Sequence, residues 1–378
     1  NYSFFEEVPS FRDVGYPIAE IEANGSFVVT KHPGTGGLVS VGTITAQLLY
    51  EIKAPAYYNP DVIAHFDTMK IEQVGDDRVY VSGCRGSSPP ATHKVCVNTL
   101  GAYKQSMEVL LTGLDIEKKA DIYVDQIFHN LGGKEQFTDV DIHLIRSDKE
   151  DPATNEEAHA ALRITVTSDD PSKLGRLFQA KVTELGLAAI PGNTGRGAAG
   201  YNGTPVIAYW PTLIDSQKVT ERVHMNGDLI EVLPTQRLGL EDIYYQEVPV
   251  KISPAAGGDT IPIPFGRLFG TRSGDKGGAA NCGVWARTDE AFSFLYEFLT
   301  VEKFKELAPD MASYKIERFE LANLRALNFY IHDVLGEGVS SNHRIDKQAK
   351  SLCEYLRAKT IEAPKLLVDQ IARTDINE

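Results

Sequence analysis

The 378-residue sequence predicts a mixed α/β protein, a large α/β region followed by a small α+β sandwich of ferredoxin-like type. Three observations carry that expectation. Short β-branched and aromatic runs alternate with amphipathic helical stretches through residues 25–187. A Pro/Gly-rich, aperiodic segment at 253–262 then interrupts the pattern. Beyond it lies a compact series of strand, charged loop, strand, helices, strand and helix, of the size of a small domain. The expected divisions are a domain over 1–252, a linker over 253–261, a second domain over 262–364 and a tail over 365–378.

In chain order, Ser26–His32 reads as a strand, broken by the glycines of 33–37. Leu38, Val41, Thr45, Leu48, Leu49 and Ile52 then recur at helical spacing. Strands are expected over 62–66, 70–74, 78–82 and 94–100, with Gly75-Asp-Asp77 turning one hairpin. A further strand (107–112), a helix (116–131), two strands (139–146 and 160–167) and a helix (174–187) follow. Ser168 to Ser172, with Pro171, has the chemistry of a helix start. In the second domain the expectations are strands at 263–270, 282–287 and 314–321 and helices over 289–307. A mixed run at 324–335 and a last helix over 346–359 complete it.

Composition narrows the function. No apolar run approaches the roughly 20 residues that span a bilayer. A net charge of −14 argues against nucleic-acid binding through a broad basic surface, yet leaves room for an anionic small ligand in a local Arg/Lys pocket. Four cysteines, with no C-x-x-C pair, do not form a disulfide framework; a reduced, cytoplasmic setting is expected, with Cys84 and Cys96 as buried small side chains in strands. No spacing of His, Cys and acids reads as a metal site.

Two glycine-rich loops carry the candidate chemistry. In the first, Lys31 and His32 precede Pro33, Gly34, Thr35, Gly36 and Gly37 at the start of a helix. Backbone amides, close approach and a neighbouring cation there suit an anion. It is neither a P-loop nor a dinucleotide fingerprint, since the Gly-Lys-Ser/Thr ending is missing and Val39 takes the third glycine's place. In the second, Arg272, Ser273, Asp275, Lys276 and Asn281 surround three glycines, Gly274 among them, between two strands. Arg272 or Lys276 there could pair a carboxylate or phosphate, and Asp275 could act as a base or hold Lys276. Arg85, beside Cys84 and with Lys94 downstream, is a weaker basic cluster, balanced against a plain surface hairpin. Gly195, Gly197 and Gly200 spell G-x-G-x-x-G, but Tyr201 to Pro205 cannot open a helix, so the stretch reads as a loop over a site. Tyr209 and Trp210 offer aromatic walls, with core packing the more ordinary use. Asn328, inside an apolar run, must find hydrogen-bond partners.

At Gly15–Glu20, Thr30–Gly37, Val81–Gly86, Arg272–Gly277, Asn281, Leu324–Phe329 and Gly338–Ser340 the chain resembles the acyclic terpene utilisation protein A family over nearly its whole length. The resemblance implies the later part of a large conserved domain followed by a ferredoxin-fold domain. It also implies a segment upstream of the position matched by Asn1, so the chain looks like a fragment or a cleavage product, with that segment as a separate partner. It points to branched, terpenoid-type acyl-CoA or carboxylate intermediates and lyase-type cleavage, with a CoA thioester as substrate and no resident cofactor. On this reading Arg272 and Lys276 neutralise a carboxylate, Asp275 or His32 handles a proton, and the amides after Gly37 take a phosphate or thioester oxygen. The other expectations are a homo-oligomer, a small anionic substrate, and neither nucleic acid nor membrane as partner. The rival reading is a non-catalytic assembly or ligand-binding subunit of an acyl-CoA-processing complex.

Overall fold

The computed structural model describes residues 2–188, 190–195, 203–232 and 257–374. The expected loop glycines Gly197 and Gly200 and the first residues of the expected linker, 253–256, lie outside the described residues. In chain order the elements are β1 (Ile18–Ile21), β2 (Phe27–Thr30), α1 (Val41–Leu48), β3 (Ala56–Tyr58), β4 (Ile63–His65), β5 (Lys70–Gly75), β6 (Arg78–Ser82), β7 (Arg85–Ser87), β8 (Thr92–Thr112), α2 (Ile116–Asn130), β9 (Asp139–Ile145) and β10 (His159–Ser168). Next come α3 (Arg176–Thr183), α4 (Leu185–Ala188), β11 (Asn193–Gly195), β12 (Thr204–Asp215), β13 (Arg222–Met225) and β14 (Asp228–Glu231). The last stretch holds β15 (Thr260–Pro264), α5 (Phe265–Leu268), β16 (Phe269–Lys276), β17 (Ala279–Ala286), α6 (Asp289–Phe298), α7 (Val301–Leu307), β18 (Ile316–Leu321), β19 (Ala326–Ile331), α8 (Leu352–Arg357), β20 (Thr360–Pro364) and α9 (Lys365–Thr374). The class is mixed helix and strand with antiparallel sheets, as the sequence predicts.

The chain forms two compact units, residues 98–210 and residues 1–97 with 211–378. In the first, β11, β8, β10 and β9 form a sheet in that order, with β12 also on β8. Its apolar face (Val109, Leu111, Leu162, Ile164, Val166) packs on Ile116, Tyr123 and Ile127 of α2 and Phe178 and Val182 of α3. The i, i+4, i+7, i+11 spacing of Ile116, Ala120, Tyr123 and Ile127 is why this stretch is a helix with one buried side.

The second unit carries the site. Strands β16, β17, β19 and β18 make an antiparallel sheet in that order. Period-two alternation gives β16 and β17 two different faces. Phe269, Ala280, Cys282, Val284, Leu327, Phe329 and Ile331 enter the largest core, with Phe292 and Leu295 of α6, Phe304 of α7 and Leu352 and Leu356 of α8. On the opposite face small residues stand where bulk is expected. A Cβ on Gly283 would meet Leu49 Cβ at 2.6 Å, and one on Gly274 would meet Tyr50 Cε2 at 2.7 Å. These glycines let the end of α1 lie against the sheet, and Trp285 joins Ala46, Leu49 and Ile52 in a second core there. A second four-stranded sheet, β1-β2-β6-β5, buries Val79 and Val81 against Val39 and Met69.

Several expectations change. The charged stretch 272–281 is not an open loop: residues through Lys276 continue β16, Ala279 begins β17, and only Gly277 and Gly278 form the turn. Gly277 takes φ +64°, and a Cβ on Gly278 would lie 2.0 Å from Gly336 O, so two glycines suffice for a tight reversal. Expected strand 263–270 breaks into β15, the helical turn α5 and the start of β16. Segments 94–100 and 107–112 are one 21-residue strand, β8. Residues 365–374 form helix α9. Cys84 and Cys96 are exposed, because one sits in the connection from β6 to β7 and the other on the exposed end of β8. Cys282 and Cys353, 71 positions apart, form a disulfide. No described helix is long and apolar enough to cross a membrane.

Candidate functional site

The end of α1 delivers the first groups. Ser40 caps its start reciprocally with Thr43, and Leu49 ends it. Tyr50 follows, then Glu51 at φ +56°, a left-handed conformation that side chains other than glycine rarely adopt. The Glu51 N–H donates to Asn281 Oδ1 at 2.9 Å, and Asn281 Nδ2 donates to Leu49 O at 2.7 Å and Asn328 Oδ1 at 2.9 Å. Asn328 Nδ2 in turn donates to Lys53 O at 2.8 Å. Both asparagines are fully buried. They fasten the 49–53 turn to the sheet and hold the strained Glu51 in place.

Thus oriented, Glu51 and the Tyr50 hydroxyl both accept hydrogen bonds from Lys350 Nζ, which also pairs with Asp275 Oδ1 at 3.1 Å. Lys350 lies 4.4 Å from the Tyr50 ring centre, and the Arg272 guanidinium covers the same ring at 4.0 Å. Burial pulls the Arg272 pKa below its ordinary value, against the pull of Tyr50 and Glu51. Burial also lowers Lys276, helped by the charge of Lys94 and opposed by Glu51. Lys276 stands over the Tyr57 ring at 5.3 Å. For Lys350, burial is outweighed by its bonds to Glu51, Tyr50 and Asp275, and its pKa rises. For Glu51, burial is likewise outweighed, by Lys350, Tyr50 and Lys276, and its pKa falls below 4.5.

The two shifts set opposite pH limits on one ion pair. Glu51 stabilises the fold in full above its unfolded value and loses that contribution as pH falls through its depressed folded value. Lys350 contributes in full below its unfolded 10.5 and loses it only as pH rises through a higher folded value. Glu51→Gln should therefore be less stable than the parent near neutrality, the difference shrinking as pH falls through the depressed folded value. Urea titrations at several pH values measure this.

Arg272 and Lys350 border a cavity of about 530 Å3. Thr271, Ser273 and Cys353 line it with them, Phe5, Val8, Phe11, Val14 and Leu38 give it apolar walls, and Gly37, Thr43 and Gln47 reach it from the α1 side. Ser3 closes one part of the β16 edge: its Oγ accepts from Thr271 N–H at 2.8 Å and donates to Thr271 O at 2.9 Å.

The sequence-derived candidates divide accordingly. Arg272, Asp275, Lys276 and Gly274 fall in or against the charged cluster, and Gly37 reaches the cavity. Ser273 Oγ also lines the cavity and accepts from Cys353 N–H at 3.1 Å. Asn281 lies beneath the cluster with its amide engaged by the turn. In the Lys31–Gly37 loop, Gly36 N–H donates to Arg12 O at 3.1 Å and Gly37 N–H to Ser10 O at 2.7 Å. Lys31 donates to Thr35 O at 2.6 Å and pairs with Asp77 at 3.3 Å, while Thr35 Oγ1 donates to His32 O at 2.7 Å. The amides expected to cradle an anion are thus donated to the preceding segment. Gly34 (φ +74°) and His32 are exposed in that loop, and Arg85 is exposed on β7, where His65 is its strand partner. Tyr50, Glu51 and Lys350 are the groups sequence reading missed. The glycine at 274, facing an unknown bulky neighbour, was the one available signal.

Residues 1–225 match the family described as acyclic terpene utilisation family protein AtuA, and residues 263–362 match the AtuA ferredoxin-like domain. The chain belongs to the AtuA family. The charged cluster thus joins both matched regions of the AtuA chain, Tyr50 and Glu51 from the first and Arg272, Asp275 and Lys350 from the second. No curated protein and no solved structure matches it.

Proposed function

We propose that this AtuA-family chain is an enzyme, or the main part of one, acting on a branched, terpenoid-type carboxylate or acyl-CoA thioester by lyase-type chemistry. The observation that carries the reading is the cavity that Arg272 and Lys350 line together with apolar side chains, the carboxylate on its lining, Glu354, being paired with Arg357. Phe5, Val8, Phe11, Val14 and Leu38 suit a hydrocarbon chain, at about 25 cal/mol per Å2 removed from water. The two cations suit a carboxylate or the oxygen of a thioester, and they would also stabilise the enolate left when a C–C bond beside it breaks. Tyr50 is hydrogen-bonded to Lys350 and lies under Arg272, and with Asp275 and Glu51 it would hold the two cavity-lining cations in position.

Titration calorimetry with a ten-carbon branched carboxylate, its primary alcohol and its straight-chain isomer tests the proposal. The carboxylate should bind at least about tenfold more tightly than the alcohol, which is about 1.4 kcal/mol. Arg272→Met should erase that preference. Equal binding of acid and alcohol would remove the cationic end of the site from the account. Turnover of the corresponding CoA thioester, followed by mass spectrometry of the products, tests the bond cleavage separately.

A further inference from the structure

We propose that Cys282–Cys353 is a redox-active site, opened by a dithiol reductant reaching it through the cavity, and that its opening releases Lys350 from Glu51 and Asp275. The inference stands on the geometry of the cavity wall, independently of which substrate the cavity holds. Cys353, 2 % exposed, is the half of the disulfide that borders the cavity, whereas Cys282 lies in β17 with no exposure. The disulfide bonds α8, only six residues long, to that strand. Lys350 precedes Cys353 by three positions, and its own N–H donates to Asp346 Oδ1 at 2.8 Å. Its ammonium position is therefore set by a short segment held at Asp346 on one side and at Cys353 on the other.

Opening proceeds by exchange. A thiolate of the reductant attacks Cys353 Sγ, the S–S bond breaks, and Cys282 leaves as a thiolate that takes a proton. The reductant's second thiol then attacks the mixed disulfide and releases Cys353, leaving two protein thiols and an oxidised reductant, a transfer of two electrons and two protons. Two thiols need more room than one disulfide, since each sulfur then requires its full non-bonded separation. Strand β17 cannot recede: Gly283, next to Cys282, already has Leu49 packed where a Cβ would stand. The short α8 is the element that yields, and it carries Lys350 with it. Core residues Leu352 and Leu356 keep α8 on the domain, so the reduced chain stays folded with a loosened lysine.

The full chain treated with dithiothreitol, then iodoacetamide, tests this by intact mass, thermal unfolding and acetic anhydride labelling read at the peptide level. The expected result is two newly alkylated cysteines, a retained cooperative transition and an acetylation rate at Lys350 raised about tenfold, because a paired ammonium is the protected form. Lys118, exposed on α2 in the unit of residues 98–210, serves as the internal reference. Cys353→Ala and, should that variant fail to fold, Cys282→Ala should show the same Lys350 rate with and without dithiothreitol. An unchanged rate at Lys350 after reduction, reduction only in denaturant, or loss of the fold on reduction would each overturn the proposal. Loss of carboxylate binding in a separate titration, with the labelling result intact, would instead overturn the substrate reading alone.

Discussion

Replacing Lys350 by Met should lower affinity for a carboxylate ligand about a hundredfold, which is about 2.7 kcal/mol, and reduce turnover by about 10²–10³. The reason is a reversal of local charge. Lys350 is held among Glu51, Asp275 and the Tyr50 hydroxyl. Without it, Glu51 and Asp275 lose the cation they share, and Arg272 stays as the cation lining the cavity beside Glu354. The anionic ligand then loses one attraction and meets the field of carboxylates no longer neutralised. Met keeps the length and the apolar stem, so the effect reports the ammonium and not a void. Asp275→Asn should produce a much smaller change, since it loosens Lys350 without removing it. Calorimetry with the branched carboxylate and steady-state turnover give both numbers. A loss below about threefold in each would mean that the Lys350 cluster is only a clasp between segments.

Asn281→Ala should destabilise the unit formed by residues 1–97 and 211–378 by about 3–5 kcal/mol. Its side chain makes three hydrogen bonds at full burial, and each partner left behind is a buried polar group without water. The Glu51 N–H and Leu49 O belong to the turn that places Tyr50 and Glu51, so affinity should fall together with stability. Asn281→Asp should be no rescue. It can still accept from Glu51 N–H but cannot donate to Leu49 O or Asn328 Oδ1, and it brings a buried charge. A shift of the urea midpoint for this unit, followed by Trp285 fluorescence, measures the effect. A shift corresponding to less than about 1 kcal/mol would show that apolar contacts at Leu49 and Ile52 suffice to dock the turn.

The two asparagines illustrate how far sequence reading reaches. Asn328 stood out as a polar residue in an apolar run, and satisfaction by hydrogen bonding was the expected use; its bonds to the 52–53 carbonyls fit that reading. Asn281 resembled a ligand-binding group because it followed a charged glycine stretch, whereas period-two alternation places it opposite Gly274, facing the α1 turn. The charged stretch itself looked like a loop because Gly274, Gly277 and Gly278 weaken a strand pattern. Gly274 is a strand residue here because Tyr50 occupies the space its side chain would fill. The break between β15 and β16 was hidden by an unbroken apolar run, which a strand and a buried helical turn satisfy equally.

What the sequence determined by itself is the class, mixed α and β, and the family, carried by long motifs on either side of the 253–262 segment. It also marked Arg272, Asp275 and Lys276 as charges in an unusual setting. The tertiary structure alone decided who their neighbours are. Tyr50 and Glu51 end an ordinary helix, and Lys350 sits in an irregular stretch about 300 positions later in the chain. Nothing local distinguishes such residues, because their pairing depends on an antiparallel sheet whose glycines admit the end of α1. Hydrophobic periodicity encodes which face of an element is buried, but not which distant turn will lie against it. That last choice is made by shape, two buried amides and one ion cluster, and it creates the cavity.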